Sequence, residues 1–378
     1  MIPSPARDHG VRPRPGTRTL VGSLLLMGAS VALASCGTGQ PAVSSSAHAS
    51  TPATPPATSA GRSNTTTPGT GTTAGSSSQR ASALGSPLPT PAALAPFSGP
   101  AVAGQGAWSP AGRPVHGVRA IYETTLVPPG SGQRAGISWM DTHLLSARLY
   151  SGSKSPGGGP YRYTAPVEPA QAASLVAAFN GGFTMDAAGG GYYTEGRTVV
   201  PLRRGAASLV IQANGSVNVG AWGSDVVMTP DVVSVRQNLV PLVAGGRPTP
   251  QAASTDWQAW GSTCGATSCA AVVPGIEHQW RSGVGATADG ALVYATGPAL
   301  DPLQLAQLLV RAGAVRGMQL DINPSWTVFV TYDPRPAGGL ATPSNGRKLL
   351  SSTMQGPWTF FEAWWARDFV TMSARPAG

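Results

Sequence analysis

The sequence predicts a sheet-rich α+β (mixed α/β) single domain with flanking helices, preceded by a disordered tether. Three observations carry this expectation. Glycine (49) and proline (36) are abundant while only 11% of residues are charged, which argues for a turn-rich chain and against a helical bundle. Short apolar runs are separated by Asn-Gly and Asp-Gly pairs, the signature of tight hairpins. Helical periodicity is strong in only one segment, after Asp301.

Residues 1–35 read as an export signal. Arg7, Arg12, Arg14 and Arg18 precede an uncharged apolar run from Leu20 to Leu33, too short for the roughly 20 residues that a membrane span needs. The run ends in Leu33-Ala34-Ser35-Cys36-Gly37, which resembles the lipobox of bacterial lipoprotein signal peptides. That resemblance implies cleavage before Cys36 and lipidation of its thiol, with the chain held at the outer, extracytoplasmic face of the cell membrane. Two or more acyl chains give stable anchoring where one is marginal. The two other cysteines, Cys264 and Cys269, sit in a polar loop. With Cys36 committed to lipid, an even pair outside the cell suits one small disulfide loop, and a zinc site would lack partner ligands nearby.

Residues 36–98 read as the tether. Beyond Cys36 the segment is almost wholly Ala, Ser, Thr, Pro and Gly, with Arg62 and Arg80 as its only charged residues. Such a stretch cannot bury enough apolar surface to offset its chain entropy.

The folded part, 99–378, is expected to begin near Gly99. Leu209–Val219 reads as a hairpin around Asn214-Gly215, and Val284–Tyr294 as another around Asp289-Gly290. A helix follows, with Asp301 as cap, Pro302 in its first turn, Leu305, Leu308, Leu309 and Ala312 on one face, and Gly313 at its end. Met318–Leu320 reads as a strand running into Asp321. A shorter helix around Glu168–Leu175 is expected to feed the strand Val176–Phe179.

The net charge of +9 is not gathered into a basic run, and no nucleic-acid motif is present. It reads as a compositional preference for arginine, since lysine occurs only at 154 and 348.

Two strand-to-loop junctions carry the candidate chemistry. The first is Phe179-Asn180-Gly181-Gly182-Phe183 and the second Leu320-Asp321-Ile322-Asn323-Pro324-Ser325-Trp326. Gly181 and Gly182 allow positive φ and close approach of a ligand to backbone amides, and the same Asn-Gly-Gly sequence equally suits a plain tight turn.

In order along the chain, Ala177–Phe183, Arg281–Gly290, the capped helix and Met318–Asp321 resemble the phosphodiester glycosidases. This is the family of N-acetylglucosamine-1-phosphodiester α-N-acetylglucosaminidase, the "uncovering" enzyme. The resemblance covers roughly residues 175–350, and Gly104–Trp108 and Pro357–Phe369 look like segments of actinobacterial members. One departure stands out: the family's Asp-Gly-Gly-Gly-Ser is here Asp321-Ile-Asn-Pro-Ser325, with proline in place of flexible glycine. The family implies hydrolysis of a sugar-1-phosphodiester. It therefore needs stabilisation of an oxocarbenium-like state and neutralisation of the departing phosphate. On that basis Asp321 is the candidate carboxylate and Arg281 the candidate phosphate clamp. Asn180, with the amides of Gly181 and Gly182, would bind sugar hydroxyls or phosphate.

The remaining candidates are placed more loosely. Asn323 and Trp326 would line the pocket, Trp326 as a stacking face for sugar, or simply pack. Asp186 and Glu195 flank Gly189–Tyr193, either a lid or a solvent loop. Asp289 reads as a turn residue and the aromatic run from Trp358 to Phe369 as packing. His116, His143 and His278 lack metal-ligand spacing. No cofactor motif is evident, and a divalent metal is left open. The expectation is a monomeric, membrane-tethered hydrolase acting on sugar-phosphate or envelope-glycan linkages. The alternative is a non-catalytic glycan-binding lipoprotein on the same fold.

Overall fold

The computed structural model describes residues 84–97, 102–254, 256–261 and 278–377, all within the unit Gly71–Gly378. The signal segment, Cys36, most of the tether, and the pair Cys264 and Cys269 lie outside the described residues.

The chain begins with β1 (Ser109–Ala111), β2 (Ile121–Leu126), β3 (Ala135–Met140) and β4 (Leu145–Tyr150). A single helical turn, α1 (Pro169–Ala172), leads into β5 (Leu175–Asn180). Then come β6 (Tyr192–Thr194), β7 (Arg197–Val200), β8 (Ala207–Gln212), β9 (Val217–Ala221) and β10 (Val232–Gln237). Two short strands, β11 (Val243–Ala244) and β12 (Arg247–Pro248), precede the long hairpin β13 (Gln279–Thr287) and β14 (Leu292–Leu300). Helix α2 (Pro302–Arg311) follows, then β15 (Ala314–Gln319), β16 (Phe329–Tyr332), β17 (Gly346–Lys348) and β18 (Phe369–Ala374).

These strands form three antiparallel sheets. Their orders are β1-β2-β3-β14-β13-β15-β11-β12, β7-β6-β10-β8-β9 and β17-β16-β5-β18-β4. The class is therefore mostly β, which corrects the expected α+β assignment. The helix expected over Glu168–Leu175 shrinks to one turn because Leu175 already belongs to β5, buried along its whole length. A chain this rich in glycine and proline leaves few runs long enough to pass helix nucleation, whereas antiparallel hairpins need only five or six residues each. Among the described residues, no helix is long and apolar enough to cross a membrane.

The three sheets share one core. Val176 and Phe179 of β5, Leu209 and Ile211 of β8, Val284 of β13, Tyr294 of β14 and Val370 of β18 meet in it. Helix α2 covers the outer face of the large sheet, packing Leu305, Leu308 and Leu309 against Ile137, Val293 and Ala295. It is capped as its sequence predicts. Asp301 accepts from the Gln304 backbone while the Gln304 side chain accepts from the Asp301 N–H, and Gly313 takes φ +95° at the end. Both predicted hairpins form, with Val210 opposite Asn218 and Val284 opposite Tyr294.

The domain starts earlier than Gly99. Leu88, Leu94 and Phe97, expected in the tether, pack on the α2 side of the large sheet. Hydrogen bonds from Leu88 N–H to the Asp141 carboxylate oxygen Oδ2 (2.8 Å) and from Leu94 N–H to Gly106 O (2.9 Å) hold them there. Arg311, in the last turn of α2, donates to the carbonyls of Ala95 and Pro96 at 2.6 and 2.9 Å. The strap is proline-rich and thus extended in advance, so docking three apolar side chains costs it little entropy.

Candidate active site

Asp321 stands one residue past β15, where the ladder with β13 continues. Ser282 N–H donates to Asp321 O (2.8 Å) and Leu320 N–H to Ser282 O (2.7 Å). The Ser282 hydroxyl closes the junction. It accepts from the Asp321 N–H at 3.1 Å and from Asn180 Nδ2 at 3.0 Å. Asn180 ends β5 and joins four segments: its amide donates also to Gly181 O, and its Oδ1 accepts from the Tyr294 hydroxyl (2.7 Å) and Val328 N–H (3.1 Å). Both donors and both lone pairs of that side chain are occupied, so Asn180 positions the junction.

The Asp321 carboxylate is 2% exposed. Oδ1 accepts from the Asn323 N–H at 2.9 Å, and Oδ2 lies 2.5 Å from the guanidinium of Arg367. Burial pushes its pKa up to about 6, against the opposing pull of Arg367, the amides of Asn323 and Ile322, and Arg236. A carboxyl poised near neutrality and held by one cation is suited to proton transfer or nucleophilic attack. Arg367 also donates to Gly182 O (2.7 Å), and its Nε is buried without a partner. The guanidinium carbon sits 5.0 Å from the centre of the Trp326 ring, which in turn meets Trp365 edge to face.

The Gly-Gly pair is explained by proximity. Neither Gly181 nor Gly182 adopts a left-handed φ, contrary to expectation. A Cβ at Gly182 would stand 2.6 Å from Asn238 Oδ1 and 2.9 Å from Arg236, and one at Gly181 would enter the Asp368 carboxylate. The backbone threads between a buried ion pair, Arg236 Nε to Asp368 Oδ2 at 2.8 Å, and the Asn238 amide. Asn238 in turn accepts from Phe183 N–H and donates to Gln319 O and Leu320 O at 3.0 Å each, tying the Gly-Gly turn to the Asp321 junction.

Arg281 does not join this group. Ser282 and Val284 face the central core, so Arg281 and Gly283 point to the α2 side. There Arg281 is fully buried and donates to Leu300 O (2.8 Å), Trp260 O (3.2 Å) and Gln319 Oε1 (2.8 Å). Burial lowers its pKa to about 10, opposed by Asp301. In this arrangement its guanidinium braces the end of β14, and Arg367 takes the position facing Asp321.

Asn323 is exposed and starts a turn, its Oδ1 accepting from Ser325 N–H at 2.9 Å. Asp186 is exposed within the field of Arg367, and a bond from Thr184 leads the causes that hold its pKa low. Glu195 lies elsewhere, in the β6–β7 turn, accepting from the Arg162 and Tyr163 amides. Asp289 is a turn residue bonded to the Thr287 hydroxyl. Among the described residues, no group of three or more His, Cys, Asp or Glu side chains is placed to hold a metal ion.

Sequence reasoning missed Arg367, Asp368, Arg236 and Asn238. A signal was present: Trp364-Trp365-Ala366-Arg367-Asp368-Phe369 sets adjacent opposite charges inside an aromatic run, in a chain with only 16 acidic residues. Buried charges of that kind need partners.

The segment that carries Asn180, Ser282 and Asp321 is similar to a known family. Residues 173–352 match the phosphodiester glycosidase family. Arg367 and Asp368 lie beyond the phosphodiester glycosidase segment, on the approach to β18. Among solved structures, the chain is similar to the catalytic domain of zebrafish N-acetylglucosamine-1-phosphodiester alpha-N-acetylglucosaminidase, auto-inhibited by its pro-peptide. The two are 17% identical, with a TM-score of 0.41 over 70% of this chain and 87% of that one. A hypothetical protein from Synechocystis is similar at 11% identity, with a TM-score of 0.35 over 71% of this chain and 64% of that one. No curated protein matches.

Proposed function

We propose that the chain is a membrane-tethered hydrolase of sugar-1-phosphodiester linkages in envelope glycans or related substrates. The observation that carries this reading is the pairing of Asp321 with Arg367 at 2.5 Å, beside the Gly181-Gly182 turn and within a phosphodiester glycosidase segment. Water adds its oxygen to the anomeric carbon, and the bond from that carbon to the phosphate oxygen breaks. The phosphomonoester leaves with the electron pair, and the proton released by water completes the products. Asp321 supplies the negative charge that stabilises the oxocarbenium-like state. Arg367, whose side chain is 12% exposed, receives the departing phosphate on its guanidinium. The anomeric configuration of the freed sugar distinguishes direct attack by Asp321 from activation of water. The lipobox-like sequence ending at Cys36 supports tethering at the outer face of the membrane.

One observation favours the second reading, a glycan-binding lipoprotein without turnover. The Ile322–Trp326 loop folds over Asp321, and both carboxylate oxygens already have protein partners. The deciding experiment is hydrolysis of N-acetylglucosamine-1-phosphodiesters by the full chain, with Asp321→Asn as control. Turnover lost in the control establishes the hydrolase. Binding without turnover in the unaltered protein establishes the alternative.

A further inference from the structure

A cavity of about 720 Å³ opens at the other end of β5 and β18, away from Asp321. It is lined by Ala173 and Ser174, which precede β5, and by Thr371, Ser373, Ala374 and Arg375 of β18 and its exit, whereas Asn180 and Arg367 mark the opposite ends of those strands. Five arginines line it (Arg113, Arg119, Arg148, Arg335 and Arg375) against one carboxylate, Asp333. Asp333 engages Arg119 at 3.6 Å and Arg335 at 3.2 Å. Among the described residues, Arg113, Arg148 and Arg375 form no ion pair.

Two of these arginines are held in place by backbone carbonyls and still have unused donors. Arg113 is 8% exposed and donates to Ala173 O and Gly339 O, yet its Nε is buried with no partner. Arg375 donates to Thr142 O (3.1 Å) and Asn214 O (2.5 Å), and its Nη2 is likewise buried and unpartnered. Arg148 is exposed and lies 4.0 Å over the Tyr163 ring. Leaving a charged donor unsatisfied in the interior is costly, and concentrating like charge around it adds to that cost. A polyanion with several acceptor oxygens in the cavity offsets that concentration of charge.

We propose that this cavity is a second binding site, remote from Asp321, that takes a phosphate-bearing ligand on Arg113, Arg148, Arg335 and Arg375. The ligand chemistry is a phosphate oxyanion able to accept forked guanidinium bonds. This site does not depend on the hydrolase reading.

The test is calorimetric titration of the full chain with inorganic pyrophosphate and, separately, with glycerophosphoglycerol, the diester of a lipid headgroup or polyol-phosphate polymer. Arg148→Gln/Arg335→Gln is the test variant, because both side chains are exposed and neither carries the fold. Saturable binding of at least one probe is expected, weakened about tenfold or more in the double variant and unchanged in Asp321→Asn. The Arg113 Nε–H resonance should shift as the site fills. Tighter binding of glycerophosphoglycerol assigns a diester source, and tighter binding of pyrophosphate a free phosphate. No saturation with either probe, full affinity in the double variant, or loss of binding in Asp321→Asn each overturns the proposal.

Discussion

A Cβ on Gly181 would stand 2.6 Å from the carboxylate carbon of Asp368 and 2.7 Å from the same residue's carbonyl oxygen. Gly181 N–H also donates to that carbonyl at 2.8 Å, so the contact is a bonded one that neither segment can vacate. Gly181→Ala is therefore expected to cost about 3 kcal/mol or more, by overpacking and by prising Asp368 from Arg236. Urea denaturation measures this directly. A midpoint equal to that of the unaltered protein would remove the steric account of the Gly-Gly sequence.

Arg367 and Arg281 should separate in kinetics. Arg367 faces Asp321 and is part-exposed, so Arg367→Lys is expected to raise KM for a phosphodiester about tenfold with little change in Tm. Arg281 is buried on three carbonyl-type acceptors, so Arg281→Lys is expected to lose roughly 2–4 kcal/mol of stability while the KM for a phosphodiester stays unchanged in the folded protein. The reverse pattern would return the phosphate role to Arg281.

Asp321 predicts a defined pH dependence. Its carboxyl is raised from 3.8 to about 6, so the folded state holds the proton more tightly than the unfolded chain. The contribution to stability is complete below about pH 4 and declines as pH rises. It is gone above about pH 6, a total on the order of 3 kcal/mol. Relative to the unaltered protein, Asp321→Asn should thus be more stable at pH 7 than at pH 4. If the ionised form is the reactive one, turnover should rise through an apparent pKa near 6. Parallel stability curves for the two proteins across this range would show that Asp321 does not titrate as described.

Much of the local structure could be read from the residues. The cap Asp301, the face of Leu305, Leu308 and Leu309, and the turns at Asn214-Gly215 and Asp289-Gly290 follow from interactions within a few positions, which sequence records directly. Asp321 could be picked out as a candidate because a strand led into it at the loop most characteristic of the resembled family. The choice between Arg281 and Arg367 could not, since it depends on strand parity and on β18 pairing with β5, a contact across nearly 200 residues. The strap 84–97 was hidden for a related reason: its Leu and Phe residues are too few to signal a fold until the surface beside α2 exists to receive them.

The position of β18 has a consequence for biogenesis. Among the described strands it comes last, yet it lies inside its sheet, hydrogen-bonded to β5 on one side and β4 on the other. As the polypeptide emerges, the edges of β4 and β5 that receive β18 stay open across the nearly 200 residues between β5 and β18, and neither Arg367 nor Asp368 is yet present beside the candidate site. Until β18 arrives, Asp321 has no Arg367 beside it and the sheet that carries Asn180 keeps an open seam.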